Sequence, residues 1–188
     1  MATQELKTAF LAFREQCIWT RICYNIYSGL YESGQETLNL LHRSACAFFI
    51  DLNIILIEYC LIQISKHLDP IETCGRPNLT IFLIDSMLIE QNLMTNNIQS
   101  LSAKLSNFRN FIKEARNRIL SHSDLDTVLQ NKPLGSHSES DVTMFFENLQ
   151  QYCDEVGNAV GEGPSDFRSI PASGDVLDLL KRLKQTLR

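Results

Sequence analysis

Apolar positions recur at helical spacing from Gln4 to about Tyr31, where Leu6, Phe10, Phe13, Cys17, Tyr24 and Tyr27 share one face. No proline intervenes and Gly29 is only a weak breaker, so the pattern predicts a long first helix. Ser33 and Gly34 punctuate it, and a second long helix is predicted from about Gln35 to His67, closed by Asp69 and Pro70. Its run CAFFIDLNIILIEYCLIQI is about long enough to cross a bilayer, but Asp51, Asn53 and Glu58 interrupt it at a large desolvation cost. The expectation is a central helix buried on more than one face. Thr73 to Pro77 reads as a loop, after which Asn78 is placed to cap a short third helix by accepting a backbone N–H.

The clearest periodicity lies between Thr95 and about Ser121, where Leu101, Leu105, Phe108, Ile112, Ala115 and Ile119 form a single stripe. The polar segment NKPLGSHSES then breaks the chain, and Asp141 is the expected cap of a helix through Met144, Phe145, Leu149 and Tyr152 that stops near Gly157. GEGPSDFRSIPASG is a second breaker-rich linker, and Asp175 opens a final amphipathic helix with a basic C-terminal end. No useful strand alternation and no internal repeat appear. The predicted fold is all-α: an up-and-down helical bundle over residues 1–160, a linker over 161–174 and a C-terminal helix over 175–188.

Composition refines this picture without redirecting it. A chain of 188 residues that is 44% apolar and 21% charged fits one globular domain. The six cysteines form no C-x-x-C pair and read as reduced thiols, and the N-terminus lacks the pattern of an export signal, so a cytoplasmic location is expected. A net charge of -5 argues against indiscriminate coating of nucleic acid, which needs many phosphates neutralised.

Several chemistries lack sequence support. The residues three before the histidines are Asn39, Ile64, Ile119 and Leu134, so the Glu-x-x-His pairs of di-metal bundles are missing. H-E-x-x-H, a phosphate loop and G-x-S-x-G are missing too. Asp51 and Glu58 share a helix face and are open to two readings, paired carboxylates at work or ion-pair partners of an arginine on a neighbouring helix. No metal and no cofactor is expected. His42, His67 and His137 fit capping, core or loop roles.

One segment departs from the overall acidity. Between residues 104 and 118, Lys104, Arg109, Lys113, Arg116 and Arg118 face a single anion, Glu114. Arg109, Lys113 and Arg116 follow i, i+4, i+7 spacing, a row of donors suited to phosphate oxygens, although such a row is also the pattern of a solvated face. On an ideal helix Arg116 and His122 lie about 60° to either side of Ile119, straddling the apolar stripe.

Arg116, the polar Asn117 and, after five intervening residues, His122 near the end of a bundle helix resemble the signature of the HEPN superfamily. Ser123-Asp124-Leu125 is similar to its abortive-infection-type, AbiU-like branch. Trp19 and Tyr27 in the first helix, Asp69-Pro70 after the second and Asn78-Leu79-Thr80 before the third add to the likeness, which covers roughly residues 5 to 160. The resemblance implies a metal-independent endoribonuclease, a toxin or antiviral-defence effector, acting on RNA as a homodimer whose two motif helices meet at one cleft. It implies catalytic roles for Arg116, Asn117 and His122, with Arg109, Lys113 and Arg118 holding substrate, and an antitoxin or modifying partner, with no membrane. Some relatives carry a tyrosine two residues after the histidine as a site of nucleotide attachment, and here that place is Asp124, which puts that control in doubt. The alternative is a non-catalytic helical scaffold that binds RNA or a protein partner through the same face. In that case His122 is a helix-end histidine and Arg116 a structural ion pair with Asp51 or Glu58.

Overall fold

The computed structural model describes residues 1–120, 139–168 and 172–186, and of residues 111, 114–120 and 139 the backbone only. The first helix, α1 (Gln4–Tyr31), begins where the Thr3 hydroxyl accepts from the Leu6 N–H at 3.3 Å. Its buried Leu6, Phe10, Phe13, Cys17 and Tyr24 follow the predicted stripe.

The second helix, α2 (Gln35–His67), has the predicted ends but is broken inside. Ala45 is extended (φ -161°, ψ 74°), and beside it the Ser44 hydroxyl donates to the Leu40 carbonyl at 2.7 Å, competing for that acceptor. The expectation that α2 is buried on more than one face is overturned. Of its most apolar 18-residue stretch only 17% is buried, and Phe48, Ile50, Ile54 and Ile55 are exposed. Helix α2 packs chiefly along one side, against α1, so its apolar composition exceeds what its neighbours cover. Asp51 is exposed and Glu58 half-buried, on the uncovered side.

After α2, β1 (Glu72–Thr73) pairs antiparallel with β2 (Arg76–Pro77), a small ribbon where the sequence reads as a loop. Cys74 and Gly75 between them both have positive φ, the backbone of a tight hairpin turn. Thr80, not Asn78, caps α3 (Ile81–Glu90): its hydroxyl accepts from the Leu83 N–H, while the Asn78 amide donates to the Pro70 carbonyl and to Thr73. Thr95 caps α4 (Asn96–Leu120), whose Ile98, Leu101, Leu105, Phe108 and Ile112 are buried.

The next described helix, α5 (Glu139–Val160), starts before Asp141 and runs past Gly157. Asp141 therefore lies inside the helix rather than capping it, and Met144 is exposed while Phe145 and Phe146 fill the core. Gly157 tolerates the helix because its missing Cβ leaves room for the returning chain; a built Cβ there would stand 2.2 Å from the Gly163 carbonyl oxygen. That returning segment is anchored, since Phe167 is buried and its N–H donates to the Gln150 side chain at 2.9 Å. Asp175 caps α6 (Val176–Thr186) as expected, accepting from the N–H groups of Leu177 and Asp178.

The elements form an all-α bundle. Helices α1 and α5 run antiparallel, with Lys7 beside Glu162, Cys17 beside Cys153 and the Tyr24 ring stacked on Phe146 at 4.6 Å. Helix α4 runs antiparallel to α5, with the Phe108 ring 4.7 Å from Phe145. A main core joins α1, α3, α4, α5 and the second half of α2. A smaller one gathers Leu30, Leu40, Leu41 and Phe49 under Leu180 of α6, with Lys184 paired to Glu36 at 3.1 Å.

Candidate functional site

Because α4 and α1 both run opposite to α5, the last turns of α4, the end of α1 and the start of α5 lie at the same end of the bundle. The rings Phe108, Phe145, Phe146 and Tyr24 form a continuous aromatic chain across that level. The basic row starts just beyond it. Arg109 is half-buried and Lys113 exposed, as expected for positions roughly 60° and 100° around the helix from the buried Ile112. Arg116, Asn117 and Arg118 lie on the helical backbone of α4, with Arg116 in register about 40° from Ile112 and thus on the same row. Their side chains, and His122 altogether, lie outside the described residues. Lys104, at the other end of the segment, lines a hollow with Asp154 and Glu155 and so belongs to an acidic neighbourhood.

Neither Asp51 nor Glu58 forms an ion pair among the described residues, and no cluster of three or more potential metal ligands occurs among them. The six cysteines are free.

Two buried polar arrangements draw their partners from different helices, one of them around His67, which takes the core role expected among the histidines. Asp85 on α3 accepts from Tyr152 at 2.8 Å and from Ser102, which ties α3, α4 and α5 together. Burial pushes the Asp85 carboxyl up, opposed by those two donors, and pushes the Tyr152 phenol well above its ordinary range, so the pair is a structural clamp. His67 is buried at the end of α2, with Nε2 2.8 Å from the Thr20 hydroxyl. Burial, then the nearby Lys66 charge, lowers it to about 4, so it is a neutral core histidine.

At the same end as the basic row, a cavity of about 230 Å³ opens between α1, α2 and α5, lined by Tyr24, Tyr27, Glu32, Ile57, Cys60 and Val142 among others. Its trace in the sequence is the i, i+3 spacing of Tyr24 and Tyr27 on one helix face, with Glu32 just past the helix end.

The family model HEPN_AbiU2, described as AbiU2, matches residues 3–179. The chain belongs to the HEPN AbiU2 family. The match takes in the whole bundle, the motif segment and the beginning of α6, and agrees with the resemblance carried by Arg116, Asn117 and His122. HEPN-family domains generally have ribonuclease or defence-related roles and often form dimers. Comparison with curated proteins and with solved structures gives no match.

Proposed function

We propose that this HEPN AbiU2 protein is a metal-independent endoribonuclease, a cytoplasmic toxin or antiviral-defence effector. The observation that carries this reading is the family match over residues 3–179 enclosing Arg116, Asn117 and His122 at the spacing of the HEPN motif. The cationic row from Arg109 through Lys113 on a helix of an otherwise acidic protein supports it, because phosphate contact needs local positive charge.

RNA supplies its own nucleophile. The 2′-hydroxyl oxygen attacks the adjacent phosphorus as His122 accepts its proton, the P–O5′ bond breaks, and the departing oxygen takes a proton from water. Arg116 donates to the non-bridging oxygens and stabilises the charge that grows on them in the transition state. Asn117 orients the phosphate or the imidazole, while Arg109, Lys113 and Arg118 hold flanking phosphates. The products are a 2′,3′-cyclic phosphate and a 5′-hydroxyl. Two copies of the chain, each contributing its motif helix, line one cleft.

The test offers purified protein an RNA and the DNA of the same sequence in EDTA. Cutting of RNA alone, with cyclic-phosphate ends, is the expected result; cutting of DNA, or a requirement for a divalent ion, would falsify the 2′-hydroxyl mechanism. His122→Ala should abolish turnover and keep RNA affinity. Turnover that survives the substitution removes His122 from the chemistry.

A further inference from the structure

The cavity at the motif end of the bundle has a built interior. Tyr24 donates to the Glu32 carboxylate at 3.2 Å, and the ring of Tyr27 lies 6.3 Å from that of Tyr24 at a tilt of 31°. Ile57, Cys60 and Val142 complete apolar walls. No lysine or arginine pairs with Glu32 among the described residues. Its negative charge is felt by its neighbours: it helps to raise both the Tyr24 phenol and the Cys60 thiol, each pushed to about 12 chiefly by burial. Tyr24 therefore remains a protonated donor, and its bond takes one lone pair of one Glu32 oxygen, leaving both oxygens of this cavity-lining carboxylate with acceptor capacity. A half-buried carboxylate with a single neutral donor is under-satisfied, and the group that suits it is flat, apolar on its faces and equipped with N–H donors on one edge.

We propose that this cavity is a base-reading subsite that takes a guanine of the RNA, with Tyr27 contacting the face of the base and Glu32 accepting from its N1–H and N2–H edge. The inference rests on the ribonuclease reading above and adds which nucleotide the protein selects. A volume of about 230 Å³ lies below the range of whole small-molecule ligands, roughly 300 to 1,000 Å³, and suits one ring system with the ribose outside. Bases splayed from single-stranded RNA are read in this way, by stacking on an aromatic side chain and hydrogen bonding along the Watson–Crick edge. Guanine is the base that offers two adjacent donors to a carboxylate. Adenine and cytosine offer one amino group beside an acceptor, and uracil flanks its single N–H with two carbonyl oxygens that the anion repels. The position agrees with the function, since α1 ends and α5 begins where the basic row of α4 leads.

The experiment uses fluorescently labelled 2′-O-methyl oligouridylates, which lack the free nucleophile and stay intact. Each carries a single guanosine, inosine or adenosine at its centre. The full chain should bind the guanosine oligomer about tenfold or more tighter than the adenosine one, with inosine, which lacks the N2 amino group, in between. Glu32→Gln keeps an acceptor for Tyr24 but loses the paired anionic acceptor, so the guanosine preference should collapse while the thermal midpoint holds. Tyr27→Leu should weaken all three oligomers alike, by about fivefold or more. A guanosine preference that persists in Glu32→Gln, or wild-type binding blind to the central base, overturns this inference and leaves the ribonuclease reading standing. No binding of any oligomer likewise overturns this inference, while the ribonuclease reading stands or falls by cleavage of RNA in EDTA.

Discussion

His67 shows what a single side chain contributes. Thr20 donates its hydroxyl hydrogen to the Gln16 carbonyl at 2.9 Å, so His67 supplies the N–H of their contact, and its Nδ1 is left buried without a partner. A proton on Nδ1 would place a charge in the core, which is why the ring is held at about 4 against an ordinary value near 6.5. The sign follows from this depression. Above pH 6.5 both folded and unfolded chains hold the ring neutral and the stability is present; as pH falls toward 4 the unfolded chain takes up a proton that the fold refuses, and stability is lost. The expected loss from this group is on the order of 3 kcal/mol between pH 7 and pH 4. His67→Gln, which keeps a donor for Thr20 and cannot titrate, should flatten that part of the profile in urea melts at each pH. An unchanged slope would assign the acid sensitivity to other groups. Gly157 is a second such residue. Its Cβ would meet backbone rather than a mobile side chain, so Gly157→Ala should cost roughly 1 to 3 kcal/mol despite alanine's better helix propensity, again read by denaturant midpoint.

At the scale of elements, the clamp formed by Asp85, Ser102 and Tyr152 fixes how α3 sits on α4 and α5. Tyr152→Phe removes one donor and leaves a mostly buried carboxylate with Ser102, which should lower stability by about 1 to 3 kcal/mol without changing helix content by circular dichroism. Nothing in the sequence announced this clamp, because an aspartate, a serine and a tyrosine on three helices meet only through the tertiary packing. Helix ends were more legible. The bounds Gln35 to His67 follow from breakers on either side, Gly34 before and Pro70 after, and the start of α6 from the Asp175 carboxylate that caps it. The errors arose where two residues of the same kind competed. Thr80 took the cap that Asn78 could have taken, and Phe146 took the core position expected of Met144, since a two-residue shift, about 200° around a helix, decides which side chain faces inward. The exposure of α2 was hidden for another reason: periodicity reports how apolar a helix is, whereas burial depends on how many neighbours it has. Of the candidate site, the sequence placed Arg109, Lys113 and Arg116 along one helix, as the backbone of α4 bears out, while His122 lies outside the described residues and the cavity around Glu32 is assembled from three helices.

At the scale of the whole molecule, the proposed chemistry needs two chains, and that requirement can be tested apart from the chemistry itself. Arg116→Ala alone leaves a dimer with two imidazoles and no guanidinium at the motif, and His122→Ala leaves the reverse. Each should lose at least about 100-fold in turnover, since electrostatic stabilisation and proton transfer each contribute on that scale. When the two inactive variants are mixed and allowed to exchange subunits, about half of the dimers become mixed, as two-fold assembly of equivalent chains dictates. Every mixed dimer then holds one guanidinium and one imidazole on opposite sides of the cleft. If the scissile phosphate lies between the two copies, activity should return as exchange proceeds, with the time course of subunit mixing followed by mass or by energy transfer between labelled chains. A site contained within one chain would stay dead however completely the subunits mix, because each chain would still lack one of its groups. A wild-type enzyme that cuts RNA while sedimenting as a monomer would discard the shared cleft directly and leave any guanosine preference at Glu32 to be explained within a single bundle.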